Sequence, residues 1–71
     1  MSSSSKEVIK CMLEPVHIDK FNRIFEGYDG IGIVSTIDRK AGLVIVRVTP
    51  QTYQEAYAII ENVPFSISIV E

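Results

Sequence analysis

Cysteine occurs once in this chain, at Cys11, and histidine once, at His17. A single thiol excludes an internal disulfide framework and, alone, a zinc site. A metal centre would need three or four convergent ligands of defined geometry. Around His17 only Glu14 and Asp19 are near in sequence, at no recognised spacing. Long apolar runs are missing too. No stretch approaches the ~18 residues of a membrane-spanning helix, and the serine-rich start lacks the apolar segment of a signal peptide. Nor is basic charge concentrated: seven Lys and Arg are scattered among nine Asp and Glu, for a net charge of −2. Nucleic-acid binding needs a clustered basic face to displace counterions. These absences predict a reduced, cytoplasmic protein with no metal, no cofactor, no nucleic-acid partner and no membrane partner.

What is present suits one small domain. Of the 71 residues, 46% are hydrophobic, an ordinary share for a folded chain. Residues 1–6 read as a frayed, disordered tail and residues 7–71 as a single domain. At this size burial and chain entropy nearly cancel. With no disulfides to help, self-association is the expected staple.

Hydrophobic periodicity then marks the elements. Residues 7–14 alternate, with Ile9, Cys11 and Leu13 on one side and Val8, Lys10, Met12 and Glu14 on the other, as a strand does. Pro15 ends it. Ile18, Phe21, Ile24, Phe25 and Tyr28 recur at three- and four-residue steps, an amphipathic helix of about three turns. Asp19 suits its positive end. Gly27 is expected to close it in the left-handed conformation, with Asp29-Gly30 completing the turn. Residues 31–37 and 43–49 are β-branched runs forming a hairpin. A four-residue loop, Asp38 to Ala41, would pair Ile33 with Val46 and Ile31 with Val48, keeping the apolar set on one face. Thr52 and Glu55 have the spacing of a capping box before a second helix carrying Ala56, Tyr57, Ile59, Ile60 and Val63. Pro64 stops that helix, and Phe65, Ile67 and Ile69 alternate in a last strand.

The order is strand, helix, strand, strand, helix, strand. Two split βαβ units of this kind make a ferredoxin-like βαββαβ sandwich, an α+β fold in which two helices cover one face of a four-stranded antiparallel sheet. The other face is then bare. The expected register puts Val8, Met12, Val34, Leu43, Ile45 and Val70 there as interface residues, beside Lys10, Thr36, Arg47, Ser66 and Ser68. Burying an aliphatic side chain stabilises by roughly 1.5–3 kcal/mol, so covering such a face matters to a marginal domain.

Candidate ligand-binding residues are few. Glu26 lies in the last turn of the first helix, where its charge opposes the dipole. With Tyr28 and Asp29 it makes a polar cluster at a helix-to-strand join, and departures from local rules can mark function. The plainer reading pairs Glu26 with Arg23, packs Tyr28 and uses Asp29 in an Asx turn. His17 is a further candidate, read otherwise as a solvated residue at a helix start. Cys11 faces the core and reads as a small buried hydrophobe. Tyr53 and Tyr57 read as a core-flanking pair, and Arg39-Lys40 as a solvated turn. No nucleophile and base fall together, so no catalytic residue is assigned and no enzyme activity is expected.

Two resemblances bear on this. The run from Ile18 to Asp38, with Glu26-x-Tyr28-Asp29-Gly30 at its centre, resembles a family of short bacterial proteins known only as a domain of unknown function. More loosely, the first helix and the Gly30-Ile31-Gly32-Ile33-Val34-Ser35 entry to the next strand resemble ACT domains, ferredoxin-like modules that bind amino acids and regulate metabolic enzymes. That likeness implies side-by-side pairing and a ligand near the loop after the first strand. Here that loop is Glu14-Pro15-Val16-His17 and lacks the glycine usual in ACT domains. Other ferredoxin-like functions lack their signatures: no Cys-x-x-Cys for a heavy-metal carrier, no glycine-rich loop with arginine for an acylphosphatase, and no aromatics on the open face for RNA. The expectation is a non-catalytic, homo-oligomeric ligand-binding or regulatory module for a small metabolite. The alternative is an adaptor docking a protein partner through its open face.

Overall fold

A computed structural model describes residues 7–70; the tail expected over residues 1–6 lies outside them. The elements are β1 (Val8–Leu13), a short 3-10 turn (Pro15–His17), α1 (Ile18–Glu26), β2 (Ile33–Asp38), β3 (Leu43–Arg47), α2 (Tyr53–Glu61) and β4 (Ile67–Val70). The strands form one sheet in the order β2-β3-β1-β4, and every neighbouring pair is antiparallel. Two helices and a four-stranded antiparallel sheet make this an α+β fold.

One core joins the helices to one side of the sheet. Ile18, Phe21 and Phe25 of α1 and Ala56 and Ile60 of α2 meet Ile9, Cys11 and Leu13 of β1 and Val44 and Val46 of β3, all buried. β1 shows why its sequence alternates: Ile9, Cys11 and Leu13 are buried while Val8, Lys10 and Met12 are exposed. Phe21 is fully buried and packs edge-on against Phe25 at 5.2 Å and Phe65 at 6.4 Å. Tyr53 and Tyr57, with ring centroids 6.0 Å apart, flank this core.

The β2–β3 hairpin departs from the expected register. Ile33 pairs with Arg47, Val34 with Val46, Ser35 with Ile45 and Thr36 with Val44; the register then shifts so that Asp38 faces Leu43. A β-bulge at Ile37 takes up one residue, and the four-residue loop runs from Arg39 to Gly42 instead of from Asp38 to Ala41. Val34 therefore packs on the helix-covered side against the core, and Thr36 shares that side. Neither belongs to the bare face. Ile33, 69% exposed, and Ser35 take those places. The cause lies at the loop. Asp38 Oδ1 accepts from the Ala41 N–H at 3.2 Å, and the Gly42 N–H donates to the Arg39 carbonyl at 3.2 Å. Gly42 has φ +76° and lies against the end of β1, where its carbonyl accepts the Leu13 N–H at 2.9 Å. A Cβ there would run into the Leu13 carbonyl oxygen.

Two helix ends also differ from expectation. Gly27 closes α1 with φ −76°, in the right-handed region, its N–H shared between the Arg23 and Ile24 carbonyls at 3.2 Å each. The left-handed residue is Gly30, at φ +79°. At α2, Thr52 makes no side-chain cap. Its hydroxyl turns back and accepts the Thr49 N–H at 3.0 Å, so the capping box does not form.

The bare side of the sheet carries three rows of side chains across the strands. Ile33, Arg47 and Val8 make the first, Ser35, Ile45, Lys10 and Val70 the second, and Asp38, Leu43, Met12 and Ser68 the third. The bulge adds Ile37, 56% exposed, beside Asp38. Four of the large exposed hydrophobics, Val8, Met12, Ile33 and Ile37, thus share this side. Among the described residues no helix is long and apolar enough to cross a membrane.

Candidate functional site

The join between α1 and β2 is shaped by main-chain geometry. The Tyr28 N–H donates to the Phe25 carbonyl at 3.0 Å and the Ile31 N–H to the Tyr28 carbonyl at 3.4 Å. Gly30 supplies the left-handed residue that lets the chain reverse. A Cβ on Gly30 would meet nothing within 4 Å, so this turn stands open.

Beside it lies a cleft of about 570 Å³, lined on one side by residues 25–33, apart from Gly27, and on the other by Arg47, Val48, Thr49 and Thr52. Three of the four predicted site residues come together here: Glu26, Tyr28 and Asp29. None makes the contact that would give it a purely structural role. Among the described residues, Glu26 forms no ion pair with Arg23, and Asp29 accepts no Asx-turn hydrogen bond; the ion pairs there are His17–Glu14 and Arg39–Asp19. Tyr28 is 49% exposed. Arg47, exposed, lines the opposite edge of the cleft and likewise forms no ion pair among the described residues. The Thr49 and Thr52 hydroxyls, 3.2 Å apart, hold one another at the rim. The cleft is therefore lined by two acidic residues, an arginine, a tyrosine and two threonines, together with the apolar Phe25, Ile31 and Val48. That set can hold a small molecule bearing both signs of charge.

His17 is not part of it. It precedes α1, so the helix, about 13 Å long at 1.5 Å per residue, separates it from Glu26. Its ring stacks on Phe65 at 4.7 Å, 9° from parallel, with Nε2 3.8 Å from Glu14 Oε1. It is half-buried by this stack and not freely solvated. Cys11 is fully buried, and desolvation pushes its thiol from 9.0 up to about 11. Such a thiol stays protonated and a poor nucleophile at neutral pH. No group of three or more metal-ligating side chains occurs among the described residues.

The expected interface residues Val8, Met12, Leu43, Ile45 and Val70 all lie on the bare side of the sheet, and Val34 does not. Sequence reasoning missed Arg47, Thr49 and Thr52 as cleft residues. Only the β2–β3 register brings Arg47 beside Ile33, and only the Thr49–Thr52 turn carries the hydroxyls back toward α1.

The family model described as Domain of unknown function (DUF4911) matches residues 13–67. No curated protein and no solved structure matches the chain.

Proposed function

This chain belongs to that family of unknown function, and we propose that it is a non-catalytic, ACT-like ligand-binding or regulatory module that works as a cytoplasmic homo-oligomer. Its element order and the strand order β2-β3-β1-β4 support a ferredoxin-like arrangement. The observation that carries the ligand-binding reading is the cleft at the α1–β2 join, lined by Glu26, Tyr28, Asp29 and Arg47. Opposite charges left unpaired around one small apolar cleft favour a zwitterionic metabolite, with amino acids the first class to try. The loop after β1, where ACT domains hold their ligand, is here a 3-10 turn occupied by the His17–Phe65 stack. The α1–β2 cleft is the better place for a ligand on this chain.

A thermal-shift panel of metabolites, led by amino acids, tests the proposal. Ligand at a hundred times its Kd stabilises by about 2.7 kcal/mol, and a domain of this size gains about 4–8 °C per kcal/mol. A cognate ligand should therefore raise Tm by roughly 10 °C or more. Arg47→Ala should abolish that rise while leaving the unliganded melt cooperative. A flat panel from a well-defined oligomer favours the second reading, an adaptor that docks a protein partner. What supports that reading is the concentration of Val8, Met12, Ile33 and Ile37 on one bare face.

A further inference from the structure

We infer that two copies of this chain pack the bare sides of their sheets together about a two-fold axis parallel to the strands, β1 of each lying over β3 of the other. The inference rests on the self-association reading above and specifies its surface. Face-to-face sheets pack about 10 Å apart with strand directions nearly aligned, so the rows of side chains on one sheet lie roughly over those of the other. Turning one copy about the strand direction keeps each row in place and exchanges β1 with β3. Arg47 then faces Val8 of the second copy, Lys10 faces Ile45, and Met12 faces Leu43. Both cations of the face then meet aliphatic side chains, against which their long stems can pack.

The other two-fold, across the strands through the central row, lays β1 on β1 and sets Lys10 against Lys10. Like charges opposed in this way disfavour an association. Of these two pairings, only the first keeps the two Lys10 side chains from opposing one another.

Size is compatible as well. The molecule measures 31 × 26 × 17 Å along its principal axes. Its two longer extents frame a face of about 800 Å², comparable to the share per partner in a standard interface. Arg47 also lines the ligand cleft, so the pairing brings Val8 of the second copy to the edge of that cleft.

Light scattering at tens of micromolar protein, on the wild type and three variants, tests the pairing. The wild type is expected at twice the 7.9 kDa chain mass. Ile45→Glu, at the centre of the face, should fall to the single mass, and so should Ser35→Arg beside it. Val16→Glu, 76% exposed on the 3-10 turn and off the sheet, should keep the double mass. Far-UV circular dichroism and a cooperative melt establish that each variant is folded. Should Ile45→Glu fail to fold, Ser35→Arg, half-buried on the edge strand, carries the comparison. A double mass that survives in both face variants overturns this pairing and leaves self-association standing through another surface. A monomeric wild type overturns both.

Discussion

Gly30 and Gly42 hold nearly the same backbone conformation, φ +79° and +76°, in opposite surroundings. Replacing each by alanine separates the cost of a left-handed residue from the cost of a steric collision. An L-residue in that region costs roughly 1–2 kcal/mol. Gly30→Ala should lose only this amount, since a Cβ there meets nothing within 4 Å. At Gly42 the new Cβ would run into the Leu13 carbonyl oxygen and lie 2.9 Å from its carbonyl carbon. Because these are backbone atoms, relief requires the hairpin to move away from β1. That movement breaks the Leu13 N–H to Gly42 carbonyl hydrogen bond of 2.9 Å, worth about 0.5–1.5 kcal/mol. It also loosens Leu13 in the core. Gly42→Ala should thus cost about 1.5–3.5 kcal/mol, out of a total stability of about 4–10 kcal/mol for a chain of this length. Urea unfolding followed by circular dichroism measures both variants. With a slope near 1 kcal/mol per molar, the Gly42→Ala midpoint should fall about 0.5–1.5 M below that of Gly30→Ala. Equal midpoints would refute the close approach of the hairpin to β1.

Further outcomes follow from the core, the lone thiol and the surface. Phe21→Ala removes a fully buried ring and should cost about 3–5 kcal/mol, read as a lowered urea midpoint. Cys11 binds its proton more tightly folded, near 11, than its ordinary value of 9.0. The associated stability is complete below about pH 9 and is lost as pH rises to about 11, a change on the order of 2–3 kcal/mol. Melts from pH 8 to 11 should show that loss in the wild type and lack its thiol component in Cys11→Ala; parallel curves would contradict it. Thr52→Ala loses the hydroxyl contacts with Thr49 and should cost about 1 kcal/mol in urea unfolding. Arg39→Ala removes an exposed ion pair with Asp19 at 2.9 Å and should change stability by no more than about 1 kcal/mol.

Much of this architecture is legible in the sequence because burial imposes periodicity. Ile9, Cys11 and Leu13 alternate because one face of β1 is fully buried, and Ile18, Phe21 and Phe25 recur helically because one stripe of α1 is. β2 is legible only in part. It is an edge strand with aliphatic residues on both sides, Ile33 and Ile37 outward and Val34 inward, so alternation does not choose a register. A bulge at Ile37 supplies the missing residue, and its signal is the need for Gly42 inside the loop. Thr52 has the spacing of a cap, but the neighbouring Thr49 competes for its hydroxyl. The acidic half of the cleft stands out as a local cluster at one join, Glu26, Tyr28 and Asp29. Its cationic half, Arg47, comes from a distant strand and enters only through pairing.

The cleft itself is tested most directly by amide chemical shifts in a two-dimensional NMR titration with a mixture of free amino acids. The account predicts movements confined to residues 25–33 and 47–52, with Arg47→Ala abolishing them. Shifts centred on residues 14–17 and Phe65, or none anywhere at millimolar ligand, would contradict it.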